Sequence, residues 1–155
     1  MKKRAVRHLS SEDWQALSAG AWFVGFFPEW NLASRLVPLL RHPAWAVRRA
    51  AAESIGRLEA VSAREELLAA TREEKDPHVL ADQLLSLARL GVPKTARLCE
   101  DVVRKNKRVI PRVAALSALT MLLSQEGKAD ATLITYARAA AQRCSDHPDK
   151  RISVT

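Results

Sequence analysis

Residues 42–58 read HPAWAVRRAAAESIGRL, and an imperfect copy of the stretch follows it. A shift of 32 residues carries Val47, Ile55 and Leu58 onto Val79, Leu87 and Leu90. A second shift of 32 carries the same columns onto Pro111, Leu119 and Leu122. A fixed period in this range means one supersecondary unit stacked on itself. The unit reads as two helices. In the first copy residues 31–41 lead, with Leu32, Leu36, Leu39 and Leu40 at helical spacing. His42-Pro43 breaks that helix, because proline lacks an N–H and suits a turn or the first position of a new helix. Residues 45–58 form the second helix, and Ala44, Val47, Ala51, Ser54, Ile55 and Leu58 make its inward stripe. Ala50, Ala51 and Ala52 favour helix and let neighbours approach closely.

The second copy spans about 62–90. Residues 63–71 lead with Leu67 and Leu68 inward, Asp76-Pro77 is the break with Asp76 as N-cap, and 79–90 return. Gly91 follows as a natural left-handed helix end. The third copy leads with 94–104 and returns through 111–123; residues 130–143 read as one more amphipathic helix, a cap.

This pattern resembles HEAT repeats, most closely the short type of phycobilisome-lyase-like HEAT proteins. The residues that carry the resemblance are Pro43, Val47, Arg48, Ala51, Ile55, Gly56 and Leu58, then Asp76, Pro77, Val79, Leu87, Leu90 and Gly91. It covers roughly 32–123 and departs in two places. Leu80 stands where the pattern's arginine would be, opposite Arg48 and Arg112, and Pro111 stands in place of valine. The matched positions are packing positions, so the resemblance implies a fold and no activity. The expected architecture is all-α: a right-handed α-solenoid of about three to four HEAT-like hairpins with an aromatic N-terminal cap. Its expected domains are a basic arm over 1–9, one solenoid over 10–145 and a loose tail over 146–155.

A chain of 155 residues suits one domain. Five glycines and eight aromatics argue against a β-rich fold. No apolar run is long enough to cross a membrane. The basic start MKKRAVRHLSSEDW has no apolar stretch behind it, so it does not read as a secretory signal. Cys99 and Cys144 then imply two thiols in a reducing compartment, and the cytoplasm is the expected location. Net charge is +8, but Lys2, Lys3, Arg4 and Arg7 supply half of it. The rest of the chain carries 21 basic (25 less those 4) against 17 acidic side chains, a modest excess.

Seven of the eight aromatics fall between positions 14 and 45: Trp14, Trp22, Phe23, Phe26, Phe27, Trp30 and Trp45. The cluster closes the solenoid end, or part of it stays exposed as a partner anchor, since aromatics are enriched in interface hot spots. Phe26-Phe27-Pro28 is the expected loop. Ser10 or Ser11 starts the helix before it, with Asp13 three residues after Ser10 as in a capping box. Arg41, Arg48 and Arg49 flank the turn of the first copy, and Arg104, Lys105, Lys107, Arg108 and Arg112 flank that of the third. Stacking sets equivalent turns on one edge, where these cations could grip phosphates. Glu73, Glu74 and Asp76 interrupt that edge in the second copy. The resemblance also assigns Arg48 a part in supporting the stack.

Other motifs carry no chemistry. Ala52-Glu53-Ser54-Ile55-Gly56 lacks the first glycine and the preceding strand of an esterase elbow. Cys144-x-x-His147, with Asp146 and Asp149, has metal-like spacing, but zinc wants about four ligands and Cys99 is the one other thiol. His42 and His78 read as polar turn residues beside prolines. No cofactor, metal site or catalytic residue is expected.

The leading functional expectation is a non-catalytic protein-interaction module: an adaptor, an inhibitor such as an immunity protein, or a chaperone-like subunit. Trp22, Phe26, Phe27, Trp30, Arg48, Arg49 and Arg112 are the expected contacts, with an acidic surface on the partner. The alternative is a nucleic-acid-binding solenoid. Trp45 with Arg48-Arg49 resembles the group related to alkylpurine DNA glycosylases, although this chain is short for it. An enzyme, lyase-like or hydrolytic, is the third reading, with no residue to carry it.

Overall fold

The structure, a computed structural model, describes residues 1–125 and 131–145. The described residues form nine α-helices and no strand. They pair as hairpins: α1 (Lys2–His8) with α2 (Trp14–Val24), α3 (Ala33–Leu36) with α4 (Trp45–Arg57), α5 (Arg64–Glu73) with α6 (Pro77–Arg89), and α7 (Thr95–Lys105) with α8 (Val109–Ser124). Helix α9 (Ala131–Ser145) closes on α7 and α8. The second helices α2, α4, α6 and α8 stack one on the next in a single layer.

Local chemistry sets the boundaries. Asp13 accepts from the N–H groups of Gln15 and Ala16, and Asp76 does the same for His78 and Val79. Asp13 is therefore the N-cap itself, rather than the third residue of a box begun at Ser10. Ala44 and Arg108 hold the equivalent column without a capping side chain. There His42 Nδ1 and Asn106 Oδ1 accept from the N–H two residues on. The leading helix expected over 31–41 is split. Pro38 has no N–H to continue the α-ladder, so α3 tightens into a 3-10 turn over Val37–Arg41. Pro111 does not delay α8. It sits in the first turn, where no intrahelical N–H bond is needed, and the helix begins at Val109. Gly91 adopts φ +61° and ends α6.

Two expectations about the N-terminus change. The basic arm of residues 1–9 is helical over Lys2–His8, and Ala5 and Leu9 are buried against the rest of the chain. The aromatic cap is a hairpin of its own in register with the others. Trp14 and Gly25 precede Trp45 and Gly56 by the same 31 residues. A Cβ at Gly25 would lie 2.9 Å from Ser54 Cα, and one at Gly56 would lie 3.0 Å from Ser86 Cα. The same glycine contact thus joins α2 to α4 and α4 to α6. Ser54 Oγ adds a hydrogen bond to Ala21 O at 2.7 Å. The tail assigned to residues 146–155 lies outside the described residues.

The core runs along the stack rather than gathering in a ball. One buried cluster joins α1 to α5 and includes Leu36, Ile55, Leu67 and Leu68. A second joins α7, α8 and α9 through Val103, Leu119, Leu122 and Leu133. Helix α6 belongs to both, with Leu87 in the first and Leu84 in the second. Two fully buried polar side chains, Thr95 and Gln83, have no side-chain hydrogen-bond partner among the described residues, and this holds for both amide atoms of Gln83. The same column holds Ala51 and Ala115. An orphaned buried polar group costs about 1–3 kcal/mol. Gln83→Leu is therefore expected to raise the thermal midpoint, and a lowered midpoint in a melting experiment would contradict this account of the site.

Candidate interaction surface

Each second helix buries one side against its neighbours and leaves one stripe to solvent. On α2 and α4 that stripe is aromatic. Trp14, Trp22 and Trp45 are 47%, 44% and 50% exposed, and all three line one groove of about 660 Å³ between the two helices. Ala19, Ala46 and Ala50 also line it, and their small side chains leave the space between the indoles open. Ser18 Oγ donates to Ala46 O at 3.2 Å and ties the two helices together beneath it. At one end Trp22 meets Phe26 edge-on, with ring centroids 4.7 Å apart. The Arg57 guanidinium lies 4.3 Å from the Phe26 centroid and pairs with Glu53. This contact holds two half-exposed rings in place. Farther along the same layer, α8 exposes Val109, Ile110 and Val113.

The expected contact residues divide. Trp22, Phe26 and Arg49 lie on or beside the groove. Phe27 and Trp30 do not face a partner freely. They stack on each other at 4.2 Å and 7°, pack against Phe23, and are half-buried. Residues 28–30 form a 3-10 turn there instead of an open loop. Arg48 is a strut. Its Nε and Nη2 fork onto Glu74 at 2.8 and 2.9 Å, and its Nη1 donates to the carbonyls of His42 and Pro43. Arg112 is half-buried at the matching position of α8. Trp14 and Trp45 are the groove residues missing from the expected set. The offset of 31 that aligns them was the signal that could have supplied them.

The basic edge is largely an ion-pair ladder. Arg41 pairs with Glu73 at 2.6 Å and Arg49 with Asp82. Arg104 pairs with Glu100 and Lys105 with Asp101, while Arg108 donates to the Lys75 carbonyl. Lys107 stands exposed. For Arg41, Arg48 and Arg49 the cause is the period: a 32-residue unit lays each turn beside its neighbour's, so the acids of the second copy meet the arginines of the first. The Arg104 and Lys105 pairs are i,i+4 pairs within α7.

Electrostatics follows the same struts. Burial pushes the Glu74 carboxyl up, but the Arg48 fork and the Asp76 and Lys75 N–H groups outweigh it and hold it below the ordinary range. Hydrogen bonding from Arg143 does the same for Glu100, docking α9 on α7. Burial drives the Cys99 thiol up to about 12, and Cys99 and Cys144 are both buried and unbridged. Among the described residues no group of three or more His, Cys, Asp or Glu side chains could hold a metal ion. Asp146, His147 and Asp149 lie outside those residues.

With this stacking in place, comparison with family models becomes decisive. The model of HEAT repeats matches residues 33–120, more than half of the chain. The chain belongs to the HEAT-repeat family. The match opens at α3, so the α1/α2 hairpin is a further pair laid on the front of the HEAT array, and the tryptophan groove lies across that junction. No curated protein matches the chain. HEAT repeats generally serve as protein-interaction scaffolds. No helix among the described residues of this HEAT protein is long and apolar enough to cross a membrane.

Proposed function

We propose that this HEAT protein is a non-catalytic interaction module that grips another protein on the exposed side of its second-helix layer. The observation that carries the reading is the groove of Trp14, Trp22 and Trp45: three half-exposed indoles around one concavity. Indole rings offer large apolar area at low conformational cost, the composition of interface hot spots. Occluding a partner's apolar segment there would serve an adaptor, an inhibitor or a chaperone-like subunit alike. The ion pairing of Arg41, Arg48, Arg49, Arg104 and Lys105 argues against a phosphate-gripping edge. The shifted acids Glu74 and Glu100 are held by arginines as struts between helices, which favours binding over catalysis. Two buried unbridged thiols fit a reducing, cytoplasmic setting.

The test is affinity capture of the tagged chain from its source cells, with and without nuclease, beside a Trp14→Ala/Trp45→Ala variant. One dominant, nuclease-resistant protein is expected with the unaltered chain. The double variant should bind it about 30-fold or more weaker, the loss expected from a single hot-spot indole worth about 2 kcal/mol. Circular dichroism should show the variant still folded, because both rings are half in water and neither belongs to the buried core. Recovery that collapses with nuclease would make nucleic acid the partner and sink the proposal.

A further inference from the structure

Inside the solenoid every hairpin is covered on both sides by its neighbours. The α1/α2 hairpin is covered on one side only, by α4. Its other side holds a second cleft, of about 430 Å³, and no described residue fills it. Ala5, Ala19 and Gly20 line this cleft together with Met1, Trp22 and Phe23. Ala5 and Gly20 are themselves buried where α1 packs on α2, Gly20 against His8, so the open wall of the cleft is formed by Met1, Ala19, Trp22 and Phe23 beside Arg4. An apolar wall between two helices offers a seat for one more helix.

Charge selects which helix. Lys2, Lys3, Arg4 and Arg7 sit within a seven-residue helix that contains no acid. All four are exposed, and none forms an ion pair among the described residues. The first helices α5 and α7 are built differently. Helix α5 carries Glu65, Glu66 and Glu73, and α7 carries Glu100 and Asp101. Arg4 also lines the cleft, so the charge borders the apolar surface directly. Two other polyanions fit less well. A bilayer would need a broad apolar face on α1, where Ala5 is buried and Met1 and half-buried Val6 are the apolar side chains that reach solvent. A nucleic acid would satisfy the cations but leave the apolar cleft unmatched.

We infer that this end of the solenoid docks an acidic amphipathic helix of a partner protein. Apolar residues at i, i+3, i+4 and i+7 enter the α1/α2 cleft, and carboxylates on its flanks meet Lys2, Lys3 and Arg4. The inference rests on the protein-binding reading above and adds the chemistry of the partner. Trp22 lines both this cleft and the tryptophan groove, so a partner bound here can continue onto the open face.

The test selects a displayed library of random peptides, about 15 residues long and so able to hold a helix, on the full chain. Enriched sequences are synthesised and titrated against the unaltered chain, Lys2→Glu/Lys3→Glu/Arg4→Glu, the milder Lys2→Ala/Lys3→Ala, and Trp45→Ala. Glutamates suit the first turn of a helix, so the charge reversal should leave α1 folded, and circular dichroism checks this. Enriched peptides should be acidic with apolar residues at helical spacing. Their affinity should fall about 10-fold or more on charge reversal, fall less in the milder variant, and stay unchanged in Trp45→Ala. No enrichment, no acidic bias, or full affinity after charge reversal overturns the inference. So does α1-dependent binding to phosphatidylserine vesicles or duplex DNA in place of peptide. Loss in Trp45→Ala alone overturns it too, while leaving the groove's proposed role intact.

Discussion

Gly56→Val unfolds or severely weakens the protein. A Cβ at this position would stand 2.6 Å from Ser86 Oγ, 2.8 Å from Ser86 Cβ and 3.0 Å from Ser86 Cα. Two of those atoms belong to the backbone and its first side-chain carbon, so no rotamer change relieves the clash. The helices α4 and α6 must separate, and they carry the buried Ile55, Leu84 and Leu87 between the two halves of the core. Overpacking of this kind costs about 1–3 kcal/mol for a methyl or two, and more where backbones collide. A β-branched residue adds its own helix penalty. A loss of about 3 kcal/mol or more is expected in denaturant titration. Gly56→Ala should cost less, and Gly56→Ala/Ser86→Gly should be less destabilised than the sum of its single changes, because the two residues share one contact. Strict additivity would mean that the helices do not meet there.

Arg48→Ala should lower stability by about 2–4 kcal/mol, a fall in Tm on the order of 10 °C for a chain of this size. The side chain of Glu74 is 4% exposed, and removing Arg48 strands its charge. The His42 and Pro43 carbonyls lose their donor at the same time. Arg48→Lys keeps the charge but not the fork and should recover only part of the loss. The pH dependence carries a sign. Glu74 and Glu100 have folded-state pKa values below the ordinary carboxylate range. Their stabilisation is thus present above the unfolded value and disappears as pH falls through the folded one. The unaltered chain should lose stability on acidification through that window, and Arg48→Ala should lose less, having no Glu74 fork to break. A parallel decline in both proteins would contradict the assignment.

The stacking of α4, α6 and α8 was legible in the sequence because packing columns repeat at one spacing. Val47, Val79 and Pro111, or Ile55, Leu87 and Leu119, occupy the same place in successive hairpins. The first hairpin was not, for two reasons. Its offset is 31 rather than 32, and α1 offers only Ala5 and Leu9 as buried apolar residues, so it reads as a run of charge. Misplacing that hairpin also blurred the aromatic cluster. Composition located the rings, but only the helical register separates Trp14, Trp22 and Trp45, which face the groove, from Phe27 and Trp30, which stack on each other. The basic edge failed as a charge count. Glu73 and Glu74 stand in a different repeat from Arg41 and Arg48, 32 and 26 residues away respectively, and pair with them only once the units are stacked.

Site-directed photocrosslinking in the source cells shows which face of the solenoid a partner touches. A photoreactive residue replaces Ala46 inside the tryptophan groove, and another replaces the exposed Glu66 on α5 as a control. Position 46 should give one dominant crosslinked protein and position 66 none, and that product should be lost when Trp14→Ala is added. Equal products from both positions, or crosslinks from 66 alone, would contradict the groove as the binding surface of this HEAT protein.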